Sequence, residues 1–137
     1  MSERNLVWLP FKAQLDKHHL HYQRFEDKHS PGIPDVNIHI PDPGYGDIWI
    51  EMKHAMPNKK GMINLHLRPE QYNWMYSADR AGRACFLLAR VLGDWYLWDE
   101  PLAWKLARGV ASWDRLKGLC TYYSDNPADV TCWLERG

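Results

Sequence analysis

The sequence has no excess charge of either sign: 17 Lys and Arg stand against 17 Asp and Glu in 137 residues. That balance excludes a histone-like coat that holds nucleic acid through bulk electrostatics, so any nucleic-acid function must rest on a local patch. Long apolar runs are missing as well. None approaches the roughly 18 residues that cross a bilayer. The polar start, Ser2-Glu3-Arg4-Asn5, leads into no signal-peptide core, which predicts a cytoplasmic protein without a membrane partner. Cysteine is scarce: Cys85, Cys120 and Cys132 are odd in number, widely spaced and form no C-x-x-C pair. They argue against a disulfide framework or a zinc ribbon, and predict small buried apolar residues. Low-complexity tracts, repeats and Ser/Gly linkers are absent too, which predicts one domain over residues 1–137.

What is present is globular: 45% hydrophobic and 25% charged residues. After Pro10, residues Phe11, Leu15, His18 or His19, Tyr22 and Phe25 recur at steps of three and four, which predicts a helix ending near residues 29–31. Alternation over 35–40 and again over 48–53, around the turn-rich 41–46, predicts an antiparallel hairpin. Residues 54–67 read as a loop. A helix is expected from Pro69 to about Arg80 with Gly82 as terminator, then strands at 84–89 and 95–98. Short helices are expected at 102–107 and 112–116, and an edge strand at 130–134. The order α-β-β-α-β-β predicts an α/β fold with a central mixed sheet flanked by helices.

Asp35 opens the first strand of the hairpin, and Glu51 and Lys53 sit two apart near the end of the second, on one face. The start of one antiparallel strand lies beside the end of the next, so Asp35 is expected to face Glu51 and Lys53. Two converging carboxylates need a cation, and hard oxygen donors suit Mg²⁺ or Mn²⁺. A neighbouring ammonium can hold a water nucleophile or neutralise a phosphate. Taken singly, Glu-x-Lys on a strand is most often a solvated face and Pro-Asp a turn. The joint pattern carries the weight.

That joint pattern resembles the PD-(D/E)XK nuclease superfamily. More closely, S-P-G-I-P-D-V, W-I-E-M-K and L-R-P-E-Q-Y-N-W-M resemble the virus-type replication–repair nuclease (VRR-NUC) family, over roughly residues 22–90. Small stand-alone members of that family are typical of bacteriophage genomes. The resemblance implies a restriction-endonuclease-like core, with Asp35 and Glu51 as metal-binding acids and Lys53 as the catalytic lysine. It also implies the Met52 backbone carbonyl in the metal shell and Gln71 orienting the lysine or the scissile phosphate. An earlier helix acid is usual, and Glu26 is the candidate, with Asp27 beside it. The tail after about residue 100 matches no pattern.

Between Glu51 and Glu70 there is no acidic residue, whereas Lys53, Lys59, Lys60 and Arg68 lie in or beside this stretch. A flexible cationic loop next to the metal site is placed to grip a phosphate backbone through Lys59, Lys60 and Arg68. The cluster His18-His19-x-His21 does not complete a zinc set, because His19 points away from the other two on a helix. Trp74, Trp95 and Trp98 are expected in the core; Trp104 and Trp113 could stack on unpaired bases or fill a dimer interface. The reading is a Mg²⁺- or Mn²⁺-dependent endonuclease on DNA, and the superfamily resemblance implies a 5′-phosphate and a 3′-hydroxyl as the product ends. Stand-alone members resemble junction-cleaving enzymes, so branched DNA and a homodimer are expected. The alternatives are a restriction-type or nicking enzyme on plain duplex, and a catalytically silent DNA-binding module.

Overall fold

The computed structural model describes residues 2–25 and 32–136. A π-helical turn, Arg4–Trp8, runs into helix α1, Leu9–Lys17, whose Phe11 and Leu15, four apart, turn inward. The helix does not continue to residues 29–31. It caps at His18, His19 takes a left-handed backbone (φ 56°), and the chain enters strand β1, His21–Arg24. The spacing of Tyr22 and Phe25 fits a helix face, but tertiary pairing overrides it. β1 lies along β2, Val36–Ile40, from His21 opposite His39 to Arg24 opposite Val36, and satisfies backbone groups that would otherwise form an open sheet edge.

β2 and β3, Gly46–His54, form the expected antiparallel pair, with Val36 opposite Ile50. The next stretch, read as loop, contains a short strand β4, Met62–Asn64, too brief to leave a periodic signal. Helix α2, Pro69–Arg80, has the predicted bounds. It crosses over to β5, Ala84–Val91, which runs parallel to β3 with Glu51 opposite Leu87. A tight turn at Leu92 and Gly93, both with positive φ, leads to β6, Asp94–Trp98. Then come α3, Pro101–Leu106, and β7, Val110–Ser112, which pairs with β4. Helix α4, Trp113–Gly118, is capped by the Ser112 hydroxyl, which accepts from the Arg115 N–H.

The expected edge strand at 130–134 is instead helix α5, Pro127–Arg136, and the edge is β8, Tyr122–Ser124. Asn126 accepts from the Ala128 N–H, Pro127 opens the helix, and Val130 and Leu134 turn inward four residues apart. This is an N-cap signature, and it outweighs the β-branched run. The six-stranded sheet has the order β1-β2-β3-β5-β6-β8, with β3 and β5 the parallel pair. One face carries Ile38, Ile48, Ile50, Met52, Phe86 and Leu88 against α1 and α5. The other carries Cys85, Leu87, Ala89 and Trp98 against α2, α3 and α4.

Trp104 and Trp113 belong to this second core. Trp104 is fully buried, its indole N–H donating to the Trp98 carbonyl at 2.9 Å, and Trp113 packs edge-on against Tyr96. Neither indole is open to an unpaired base or a second subunit. Trp95 and Trp98 are buried as expected, Cys85 is buried, and Cys120 and Cys132 are half-buried. Among the described residues, no helix is long and apolar enough to cross a membrane.

Candidate active site

The hairpin register places Asp35, one residue before Val36, directly across from Glu51. Cross-strand partners point to one face, so Asp35, Glu51 and Lys53 share the side that α2 covers. These groups are not on a solvated surface: Asp35 is 7% exposed and Glu51 2%. A buried carboxylate must be bonded to be stable there. One Asp35 oxygen accepts the Met52 N–H at 2.7 Å, and the other lies 3.2 Å from the Arg24 guanidinium. Glu51 Oε2 accepts from Gln71 Nε2 at 2.9 Å and lies 3.4 Å from Lys53 Nζ.

Gln71 is the hub. It is the third residue of α2, and its Oε1 accepts the Arg68 N–H at 2.9 Å, closing the first turn of the helix. The same oxygen accepts from Lys53 Nζ at 3.1 Å, which leaves Nε2 to face Glu51. The backbone donor decides the amide orientation, because a flipped side chain would set NH₂ against N–H. One helix cap thereby positions both the ammonium and a carboxylate.

Gly32 explains how the three motifs meet. Its φ is +88°, and a Cβ there would come within 2.1 Å of the Glu70 carbonyl oxygen. Only glycine allows this loop to lie against the first turn of α2, three residues before Asp35. Met52 shows a further consequence of the register. The N–H and C=O of one strand residue point to the same strand edge. The Met52 carbonyl therefore opens toward the Asp35 side, as its N–H does.

The structure thus brings Asp35, Glu51, Met52, Lys53 and Gln71 together. Glu26 lies outside the described residues. Lys59 and Lys60 are exposed, but on a tight turn rather than a flexible loop. Asn58 Oδ1 accepts from the Lys60 and Met62 N–H groups, and the Gly61 carbonyl takes the Trp113 N–H. The Arg68 guanidinium lies 3.6 Å from Glu70. Among the described residues no three His, Cys, Asp or Glu side chains converge, and His18 pairs with Glu135 instead of its neighbouring histidines.

Sequence reasoning missed Arg24. It bonds the Asp35 carboxylate and lies 3.3 Å from the Asp35 carbonyl, with its guanidinium 5.0 Å from the Trp8 ring. Placing residue 24 in a helix hid this contact. The strand assignment reveals it, since Arg24 is registered on Val36, beside Asp35.

No protein-family model matches the sequence, and comparison with curated proteins finds no match. Among solved structures, the chain superposes on Hjc, a Holliday junction resolvase from the archaeal hyperthermophile Archaeoglobus fulgidus, with a TM-score of 0.56 and 18% identity. The alignment covers 93% of this chain and 95% of that one, so the protein shares its whole fold with that resolvase.

Proposed function

We propose that the protein is a divalent-metal-dependent DNA endonuclease of the VRR-NUC type that cuts branched DNA such as four-way junctions. The observation that carries this reading is the convergence of two buried carboxylates, Asp35 and Glu51, with the Lys53 ammonium and the Gln71 amide. The fold shared with a junction resolvase favours branched DNA over plain duplex. We further propose a homodimer, because a four-way junction needs two nicks, acting in the cytoplasm.

The donor set fits a hard cation such as Mg²⁺ or Mn²⁺: two carboxylates and the Met52 carbonyl, all oxygen, with Glu26 as a proposed further acid. When bound, the ion supplies Lewis-acid polarisation of the phosphodiester and makes water more acidic.

The protein's own groups do the positioning. Lys53 has three N–H donors; Gln71 takes one and Glu51 lies within ion-pair distance of the ammonium. The donor that remains can hold the attacking water or the developing phosphate charge. Arg24 holds the Asp35 oxygen that the Met52 N–H does not. Water oxygen bonds to phosphorus, the bond to the 3′ oxygen breaks, and that oxygen takes a proton, leaving a 5′-phosphate and a 3′-hydroxyl. Lys59 and Lys60 supply backbone contacts, and Arg68 adds another through guanidinium N–H groups that its Glu70 pairing leaves available.

The test is cleavage of four-way-junction, duplex and single-stranded DNA with Mg²⁺, Mn²⁺ or EDTA. Cutting should be greatest on the junction, vanish in EDTA, and fall about 10²–10³-fold in Lys53→Ala, the usual effect of losing one preorganised donor. Cleavage that survives EDTA or Lys53→Ala overturns the mechanism. DNA binding without any cleavage would make the protein a silent module.

A further inference from the structure

One residue step along the same face from the Glu51–Gln71 contact, a second pair of residues meets. Trp49 precedes Glu51 by two residues on β3, about 6.6 Å along the strand, and Trp74 follows Gln71 by three on α2. Their rings lie 5.0 Å apart, and Phe25 contacts the Trp49 ring at 5.6 Å. Over both indoles sits the guanidinium of Arg83, 5.2 Å from the Trp49 ring and 5.5 Å from the Trp74 ring.

Arg83 is exposed, and among the described residues no carboxylate lies within ion-pair distance of it. Arg24 and Arg68, by contrast, each face an acid. A guanidinium lying on aromatic faces keeps its planar N–H edge open, and that edge matches phosphate oxygens in a bidentate fork. Because two rings already restrict the side chain, less freedom is lost when an anion arrives.

The surroundings indicate where the anion goes. Arg83 borders two open clefts. One, of about 530 Å³, runs from Glu70 past Asn73, Trp74 and Ser77 to Arg83. The other, of about 520 Å³, carries the acids Asp47 and Asp79. The single acid of the first cleft, Glu70, is countered by Arg68, and this cleft begins beside Gln71.

We infer that Arg83, held on the paired indoles of Trp49 and Trp74, binds a backbone phosphate of the DNA strand that passes the candidate active site, one to two nucleotides from the scissile phosphate. The inference rests on the nuclease reading above and adds a phosphate subsite to it. Arg83 acts in binding, and Trp49 and Trp74 are positioning residues that act through it.

A cycle between the protein and the DNA tests this. The full chain and Arg83→Ala are titrated, with Ca²⁺ as the divalent ion, against four-way junctions carrying one neutral methylphosphonate at each position within two nucleotides of the cut. Neutralising the contacted phosphate should weaken the wild-type protein about tenfold, the effect of one charge-assisted hydrogen bond, and leave Arg83→Ala unaffected. The salt slope of binding should fall by about one in Arg83→Ala. Trp74→Ala retains the charge and should lose part of the affinity while keeping the slope. If wild type binds the junction and Arg83→Ala matches it in affinity, in slope and at every methylphosphonate, the subsite is overturned and the nuclease reading stands. If wild type neither binds nor cuts the junction, both fall.

Discussion

The two faces of β3 are built from the same nine residues and obey opposite rules. Ile48, Ile50 and Met52 are fully buried against α1 and α5. One residue out of step, Trp49, Glu51 and Lys53 face α2, and Glu51 is almost as buried as its apolar neighbours. Alternation along a strand is ordinarily read as core against solvent. Here both faces are covered, and what differs is how burial is made tolerable. The aliphatic face needs only close packing. The polar face needs partners for its charged groups: Gln71 bonds Glu51 and Lys53, and Arg24 does the same for Asp35 across the hairpin. The aliphatic face therefore governs stability, and the polar face carries the proposed chemistry.

Substitutions can break that division. The largest effect is expected from Asp35→Asn, which keeps the shape and removes a charge. Junction cleavage should fall at least about 10³-fold, the scale of several kcal/mol of charge stabilisation, while the far-ultraviolet circular dichroism spectrum is retained. A variant that unfolds yet stays active per folded molecule would show that the polar face is structural.

Next is Ile50→Ala, one residue from Glu51 on the opposite face. It should cost about 2–5 kcal/mol in a denaturant titration through the cavity it leaves. Cleavage per folded molecule should change little. A collapse of activity at full stability would mean that the faces are not separable.

Gln71→Ala sharpens the comparison, since this residue serves both roles. Loss of its cap on Arg68 should cost about 0.5–2 kcal/mol, and loss of its hold on Lys53 should lower activity as well. Activity restored by Gln71→Glu at neutral pH would contradict the geometry, because a carboxylate cannot donate to Glu51.

The smallest effect concerns Cys85, on β5 beneath α2. Burial pushes its thiol up to about 12. The native state thus keeps a proton that the unfolded state releases near its ordinary value of 9.0. The sign follows from linkage: stability is unaffected below that value and declines as pH rises from about 9 toward about 12. At pH 8, iodoacetamide should leave Cys85 unmodified until the protein is denatured, and rapid native alkylation would contradict the burial.

The convergence at the candidate site was legible in the sequence because its spacing is local. Asp35, Glu51 and Lys53 are linked by hairpin register, and register follows from alternation and a turn. Helix α2 was legible at both ends from Pro69 and Gly82. Two elements were not. Residues 21–24 carry a pattern that suits either helix or strand, and pairing with β2 decides between them. Residues 130–134 look like a strand by composition, but the cap at Asn126 and packing against the core make them helical. Arg24 escaped with the first of these errors, since its distance from Asp35 follows from strand pairing and not from sequence separation.

The sequence by itself determined which residue types the chemistry has available, their order, and the shared strand face of Glu51 and Lys53. That follows because the side-chain period of a strand is two. Tertiary structure alone decided that this face is buried and not solvated, that Gln71 bridges Lys53 and Glu51, that Arg24 clamps Asp35, and that Arg83 lies on two tryptophans. Each of these contacts joins residues of different structural elements. Such contacts form only where the packing of α2 and β1 on the sheet gains more than the ordering costs, a balance that no short stretch of sequence contains.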